Sequence, residues 1–211
     1  MAIDISSLVD PVHTAVVTVE MQRAVVGDLA ALPHIANAAR DGRIVEHTVS
    51  LLEAARASAV RVVHCVAHYR ADAAGSALNC PLLTALFKAG SPMVSGSPEA
   101  QIIPELGVQP SDLVCSRSSG VSPFGGTNLD TTLRALGVEV LVVAGVSVNV
   151  ALLGLVIEAV NHGYKVILPT DCVAGVPKEY ADSVIKNTLS MLAVRTTAVD
   201  IAKIWNGKLS Q

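Results

Sequence analysis

A chain of 211 residues suits one compact domain with a full core, or one domain with a small appendage. Its net charge of −3 and pI near 6.0 offer no basic footprint for nucleic acid or an anionic membrane. Hydrophobic residues make up 51% of it and aromatics only 3%, so the core must be aliphatic; Val-rich runs are what a parallel sheet buried on both faces requires.

Residues 1–10 carry two acids and no base, which does not fit a secretory signal. From there apolar runs alternate with helical patterns, the signature of βα units. A strand is predicted over 15–19, a helix over 44–58 and a second strand over 61–67. The stretch 69–110 is less regular, broken by Pro81, Pro92, Pro98, Pro104 and Pro110, with one short apolar helix over 82–88. Such insertions often cover a site or build a subunit contact. A strand over 112–116 precedes a helix over 128–136 that stops at Gly137. A strand over 140–144 runs into a helix over 149–161 that stops at Gly163. The chain closes with strands over 165–169 and 194–197 around a helix over 178–191. The whole reads as one domain, residues 1–211, a doubly wound, mostly parallel α/β sheet with sites expected at the carboxyl ends of its strands.

Two features are easily misread. The uncharged run 140–157 has nearly the length of a membrane span, but Gly145, Ser147 and Asn149 at its centre fit a buried strand entering a buried helix. The four cysteines, Cys65, Cys80, Cys115 and Cys172, are scattered without ligand-like spacing. That pattern fits free thiols in a reducing cytoplasm, with no disulfide framework and no structural zinc.

Three segments, taken together, resemble the isochorismatase-like cysteine hydrolases. Val16-Val17-Thr18-Val19-Glu20-Met21-Gln22 is similar to the family's first strand ending in Asp-Met-Gln. Ser122-Pro123-Phe124-Gly125-Gly126-Thr127-Asn128-Leu129 is similar to its Ser-Ala-Phe-x-Gly-Thr-x-Leu. Leu141-Val142-Val143-Ala144-Gly145-Val146-Ser147-Val148-Asn149-Val150-Ala151 is similar to its strand followed by Gly-Val-x-Thr-x-x-Cys. The resemblance implies a three-layer α/β/α sandwich with a six-stranded sheet in the order 3-2-1-4-5-6, and a homodimer or homotetramer.

The same resemblance implies an Asp base, a Lys partner and a Cys nucleophile, and all three positions differ here. Glu20 stands at the Asp position and Ala151 at the Cys position. The Lys position falls on Ser118 by strict spacing, or on Arg117 if the loop is one residue longer. A methyl group cannot attack a carbonyl, so Ala151 removes the acyl-enzyme route. Cys115 and Cys172 lie near strand ends but begin no helix, and they read as buried free thiols. Gly145-Val146-Ser147-Val148-Asn149 is similar to a nucleophile elbow, yet no histidine follows His162 to complete a triad.

What survives is a pocket. The family places an oxyanion hole at the amides of Ser147 and Ala151, with a strained or cis peptide near Val146–Ser147. Glu20 follows buried-type residues, so its carboxylate is expected to be partly desolvated, which suits a general acid or base; otherwise it pairs structurally with Arg23 or Arg117. Arg117 cannot shuttle protons near neutral pH, but its fork suits a substrate carboxylate. Gln22 and Phe124 join it as expected substrate contacts. His64 and His68 sit where some relatives bind a metal, but no acid ligand stands beside them, so no metal or cofactor is expected. Two functions remain open: a hydrolase acting without a thiol on a small carboxylated substrate, by vinyl-ether or C–N cleavage, or a pseudoenzyme that binds a small ligand or serves as an assembly partner.

Overall fold

A computed structural model describes residues 4–30, 32–88 and 93–209; Pro92 and the first three residues lie outside it. A short helix α1 (Ile5–Leu8), capped by Asp4, leads into strand β1 (Thr14–Val19). Helices α2 (Pro33–Asp41) and α3 (Ile44–Ala57) precede β2 (Arg61–Ala67), and α4 (Pro81–Lys88) lies in the Pro-rich stretch before β3 (Leu113–Arg117). Then follow α5 (Leu129–Ala135), β4 (Val140–Val146), α6 (Ala151–Asn161), β5 (Lys165–Pro169) and β6 (Val173–Ala174). The chain continues through α7 (Lys178–Asn187), β7 (Val194–Thr196) and α8 (Ala198–Leu209).

The sheet order is β3-β2-β1-β4-β5-β7, with β6 added beside β4, and every pairing is parallel. The expected six-strand order therefore holds, its sixth strand being Val194–Thr196. The two-residue β6 and helices α1, α2 and α8 are additions to the expected elements. The uncharged run 140–157 is β4 entering α6, and no described helix is long and apolar enough to cross a membrane.

Side-chain alternation along the central strands builds two cores. From β1, Val17 and Val19 face a cluster with Leu133 of α5, Leu152 and Leu155 of α6, and Val184 of α7. Val16, which alternates with them along the strand, faces the opposite cluster with Leu51 and Leu52 of α3 and Ile201 and Trp205 of α8. A period of two in the strands thus feeds both faces, and helices on each side make three layers. Trp205 is fully buried, and its ring N–H donates to the Val9 carbonyl at 3.0 Å, so its polar edge carries no penalty. At the free edge, β3 leaves Leu113 and Val114 exposed.

Candidate functional site

The strand order reverses between β1 and β4, and the carboxyl ends of β1, β3 and β4 open there into one cavity of about 310 Å³. Crevices of this kind are where doubly wound sheets hold their ligands. Glu20, the residue after β1, adopts a left-handed backbone (φ 52°) and anchors itself by donating its amide to the Cys65 carbonyl at 2.9 Å. Arg117 is the last residue of β3. Its Nη2 donates to Glu20 Oε1, and its Nε donates to the Gly120 carbonyl at 3.3 Å. The side chains of Arg117 and Glu20 are 6% and 17% exposed, so the pair is largely withdrawn from solvent.

The other half of the site is the turn from β4 into α6. A Cβ at Gly145 (φ 112°) would lie 2.2 Å from the Val19 carbonyl oxygen, so glycine alone allows β4 to pass this close to β1. The Val146–Ser147 peptide is cis, as the family resemblance implies. The amides of Val150 and Leu152 both donate to the Ser147 carbonyl, at 3.1 and 3.0 Å, and wind the start of α6. The N–H groups of Ser147 and Ala151 find no acceptor among the described residues, which leaves them for a ligand oxygen. Asn149 donates to the Val176 carbonyl at 3.1 Å and ties this turn to the loop before α7.

Glu20, Arg117, Ser147 and Ala151, expected at the site, all line this cavity. Of the two residues considered for the Lys position, Arg117 lines the cavity, whereas Ser118 is exposed and its carbonyl accepts from Ser76 Oγ at 2.7 Å. Two expected substrate contacts are corrected. Gln22 is fully buried outside the lining, with its amide nitrogen on the Ala67 and Ala100 carbonyls and its oxygen on the Ala67 N–H. It has no group left for a ligand, and it locks the chain after Glu20 to the end of β2. Phe124 packs into the core outside the lining and stacks on His162 at 5.1 Å. Arg23, the other partner considered for Glu20, is bound instead to Asp28.

The roof of the cavity comes from α2, which sequence reasoning did not foresee, and from the Pro-rich insertion, which it expected to cover a site or build a subunit contact. Leu32, His34 and Ile35 approach from the start of α2, and Leu82, Leu83 and Leu86 from α4, with Met93 beside them. Tyr69 also lines the cavity and makes no side-chain hydrogen bond among the described residues. Burial pushes its hydroxyl above the ordinary range, against the opposite pull of Arg117, so it stays protonated. Tyr69 stands just past the carboxyl end of β2, where the strand-end rule could have found it; the α4 residues were signalled only through the insertion as a whole, and the α2 residues carry no such signal.

No cysteine lines the cavity. Burial pushes the thiols of Cys65, Cys115 and Cys172 up, away from the reactive thiolate. His64 lies in the interior with Nδ1 2.7 Å from Thr18 Oγ1 and Nε2 3.4 Å from Asp112 Oδ2. Asp112 in turn accepts from Arg56 Nη2 at 2.6 Å and from the Gln109 amide at 2.8 Å. Burial alone would raise the Asp112 carboxyl, but those donors outweigh it and hold it below the usual range. His68 Nε2 lies 3.3 Å from the Ala100 carbonyl. Among the described residues, no group of three or more His, Cys, Asp or Glu side chains is placed to hold a metal ion.

Comparison with known proteins bears on these features. A family model described as the Isochorismatase domain matches residues 14–200. The isochorismatase family protein YwoC of Bacillus subtilis is 33% identical over 88 residues, covering 41% of this chain and 46% of that one. Maleamate amidohydrolase of Pseudomonas putida is 29% identical over 133 residues, 61% of this chain and 59% of that one. The matches thus span about half the length of these relatives. A crystal structure of an isochorismatase family protein from Desulfovibrio vulgaris superposes with a TM-score of 0.77 at 25% identity, over 94% of this chain and 99% of that one.

Proposed function

From the premise that the chain belongs to the isochorismatase family, we propose that it hydrolyses a small C–N substrate with water, not a thiol, as the nucleophile. The observation that carries this reading is the juxtaposition, around one cavity, of an Arg-held carboxylate and the Ser147 and Ala151 amides, which find no acceptor among the described residues. Glu20 takes a proton from a water that adds to the substrate carbonyl carbon. The oxygen that gains charge accepts from the Ser147 and Ala151 N–H groups, which are preorganised and need no side chain. The C–N bond then breaks as Glu20 returns its proton to the departing nitrogen, which leaves a carboxylic acid and an amine. Ala151 fits such a scheme, because its methyl is shorter than a cysteine side chain and leaves space beside those amides for the water.

Two points favour C–N cleavage over vinyl-ether cleavage. Paired backbone donors suit an oxyanion, which protonation of an enol-ether carbon does not generate. The Pseudomonas relative, too, is named an amidohydrolase. Arg117 takes a different role from the expected carboxylate clamp: with Nη2 on Glu20 and Nε on Gly120, its fork orients the base.

One observation favours the second reading, a binding protein without turnover: the three positions that would carry thiol chemistry hold Glu20, Arg117 and Ala151. The two readings part in one experiment. Purified protein, pretreated with iodoacetamide, is incubated with a panel of small amides including maleamate in ¹⁸O-labelled water. The hydrolase reading expects the label in the acid product and activity untouched by the thiol reagent. Tight binding with no product would leave the second reading in its place.

A further inference from the structure

We propose that this cavity selects a neutral amide with an apolar body, and rejects substrates that carry a carboxylate. The inference rests on the hydrolase reading for the amide and goes beyond it in naming the substrate class. Among the described lining residues the carboxylate and the guanidinium are those of Glu20 and Arg117, and they neutralise one another. A ligand carboxylate therefore meets one of two costs. It must share Arg117 with Glu20 or displace it, which weakens the pairing of a largely buried carboxylate, or it must rest on the Ser147 and Ala151 amides beside Glu20 as a like charge.

Beside that pair stand uncharged hydrogen-bonding groups. The Ser147 and Ala151 amides suit a carbonyl oxygen, and the Tyr69 hydroxyl adds a further uncharged contact. The roof is aliphatic, built by Leu32, Ile35, Leu82, Leu86 and Met93. Such walls gain nothing from a small dicarboxylate-like molecule, but they bury each methylene of an alkyl chain.

Titration calorimetry at pH 7 on the unmodified protein tests this with matched probes: butanamide and hexanamide, butanoate and hexanoate, and maleamate. Each added methylene should tighten amide binding about fourfold, the factor that burial of one CH₂ supplies. Each carboxylate should bind at least tenfold more weakly than the amide of equal length, a factor of about 1.4 kcal/mol in binding free energy. Leu82→Asp, at a half-exposed roof position, should weaken hexanamide at least tenfold and leave the melting temperature near that of the parent. The inference is overturned if hexanoate or maleamate binds as tightly as hexanamide, if chain length has no effect, or if neither amide binds. Binding with the expected pattern but without turnover would sink the hydrolase reading and leave this selectivity standing. Turnover of maleamate in preference to hexanamide would do the reverse.

Discussion

Two buried ion-pair clusters lie in the same half of the sheet and have opposite fates. Around Asp112, every strong polar group has a protein partner: Arg56 forks onto its two oxygens, the Gln109 amide and His64 approach the same carboxylate, and Thr18 closes the far side of His64. Around Glu20, the guanidinium of Arg117 satisfies one carboxylate oxygen, and the pair faces a cavity that also holds two unclaimed backbone donors. Both clusters join Arg to a carboxylate: Asp112, just before β3, takes Arg56 from α3, and Glu20, just after β1, takes Arg117 from the end of β3. The teaching is that a buried charge pair marks a site only where its surroundings leave hydrogen-bonding capacity and room for a ligand; where the protein satisfies everything itself, the pair is architecture.

The largest expected effect tests the functional side. Glu20→Gln keeps an oxygen for Arg117 but cannot exchange a proton with water, so turnover should fall about 10²–10⁴-fold. Ligand affinity should stay within a few-fold of the parent, as steady-state kinetics and calorimetry will show. An equally active Gln variant would erase the distinction between the clusters.

The structural side is tested at Asp112. Asp112→Ala strands Arg56 and the Gln109 amide, and breaking a buried pair in this way costs about 3–5 kcal/mol. In a chain of this size that corresponds to a fall in melting temperature on the order of 10 °C, with the rate per folded molecule unchanged. A large loss of rate in this variant would mean that the two clusters communicate.

The smallest effect is a pH dependence. Burial lowers the His64 value below 6.5, against the opposing pull of Asp112. The folded protein then binds fewer protons than the unfolded chain below about pH 6.5, so stability falls as the solution is acidified until the folded-state value is passed. His64 supplies at most about 1.4 kcal/mol per pH unit of that slope. The Asp112 carboxyl, held low by its donors, adds a further loss below its ordinary value of 3.8. Chemical denaturation between pH 7 and pH 5 should show the first decline, and His64→Gln should flatten it.

Much of the fold was legible because its signals are local. The predicted strand over 61–67 coincides with β2, and that over 165–169 with β5. The last helix was legible in principle too, since Ala198, Ile201, Ala202 and Trp205 follow helical spacing. At α2 the apolar signal is weak, carried by Ile35, Ala36 and Ala39 after Pro33, and the helix is defined by what it covers. Gln22 shows where motif reading ran out. Its place beside Glu20 suggested a ligand contact, but the carbonyls that claim it belong to Ala67 and Ala100, distant in the chain.

By itself the sequence determined a parallel α/β sheet, the βα order, and a strand-to-helix turn that begins with a methyl group at position 151 where thiol chemistry would need sulfur. These follow from periodicity and residue type, which act over a few neighbours. Only the tertiary structure decided that Glu20 pairs with Arg117, 97 residues away, while nearby Arg23 turns to Asp28. It alone, too, set an aliphatic roof from α2 and α4 over that pair. Partnership between side chains depends on which strand ends lie side by side, and adjacency across a sheet is a property of the folded chain as a whole.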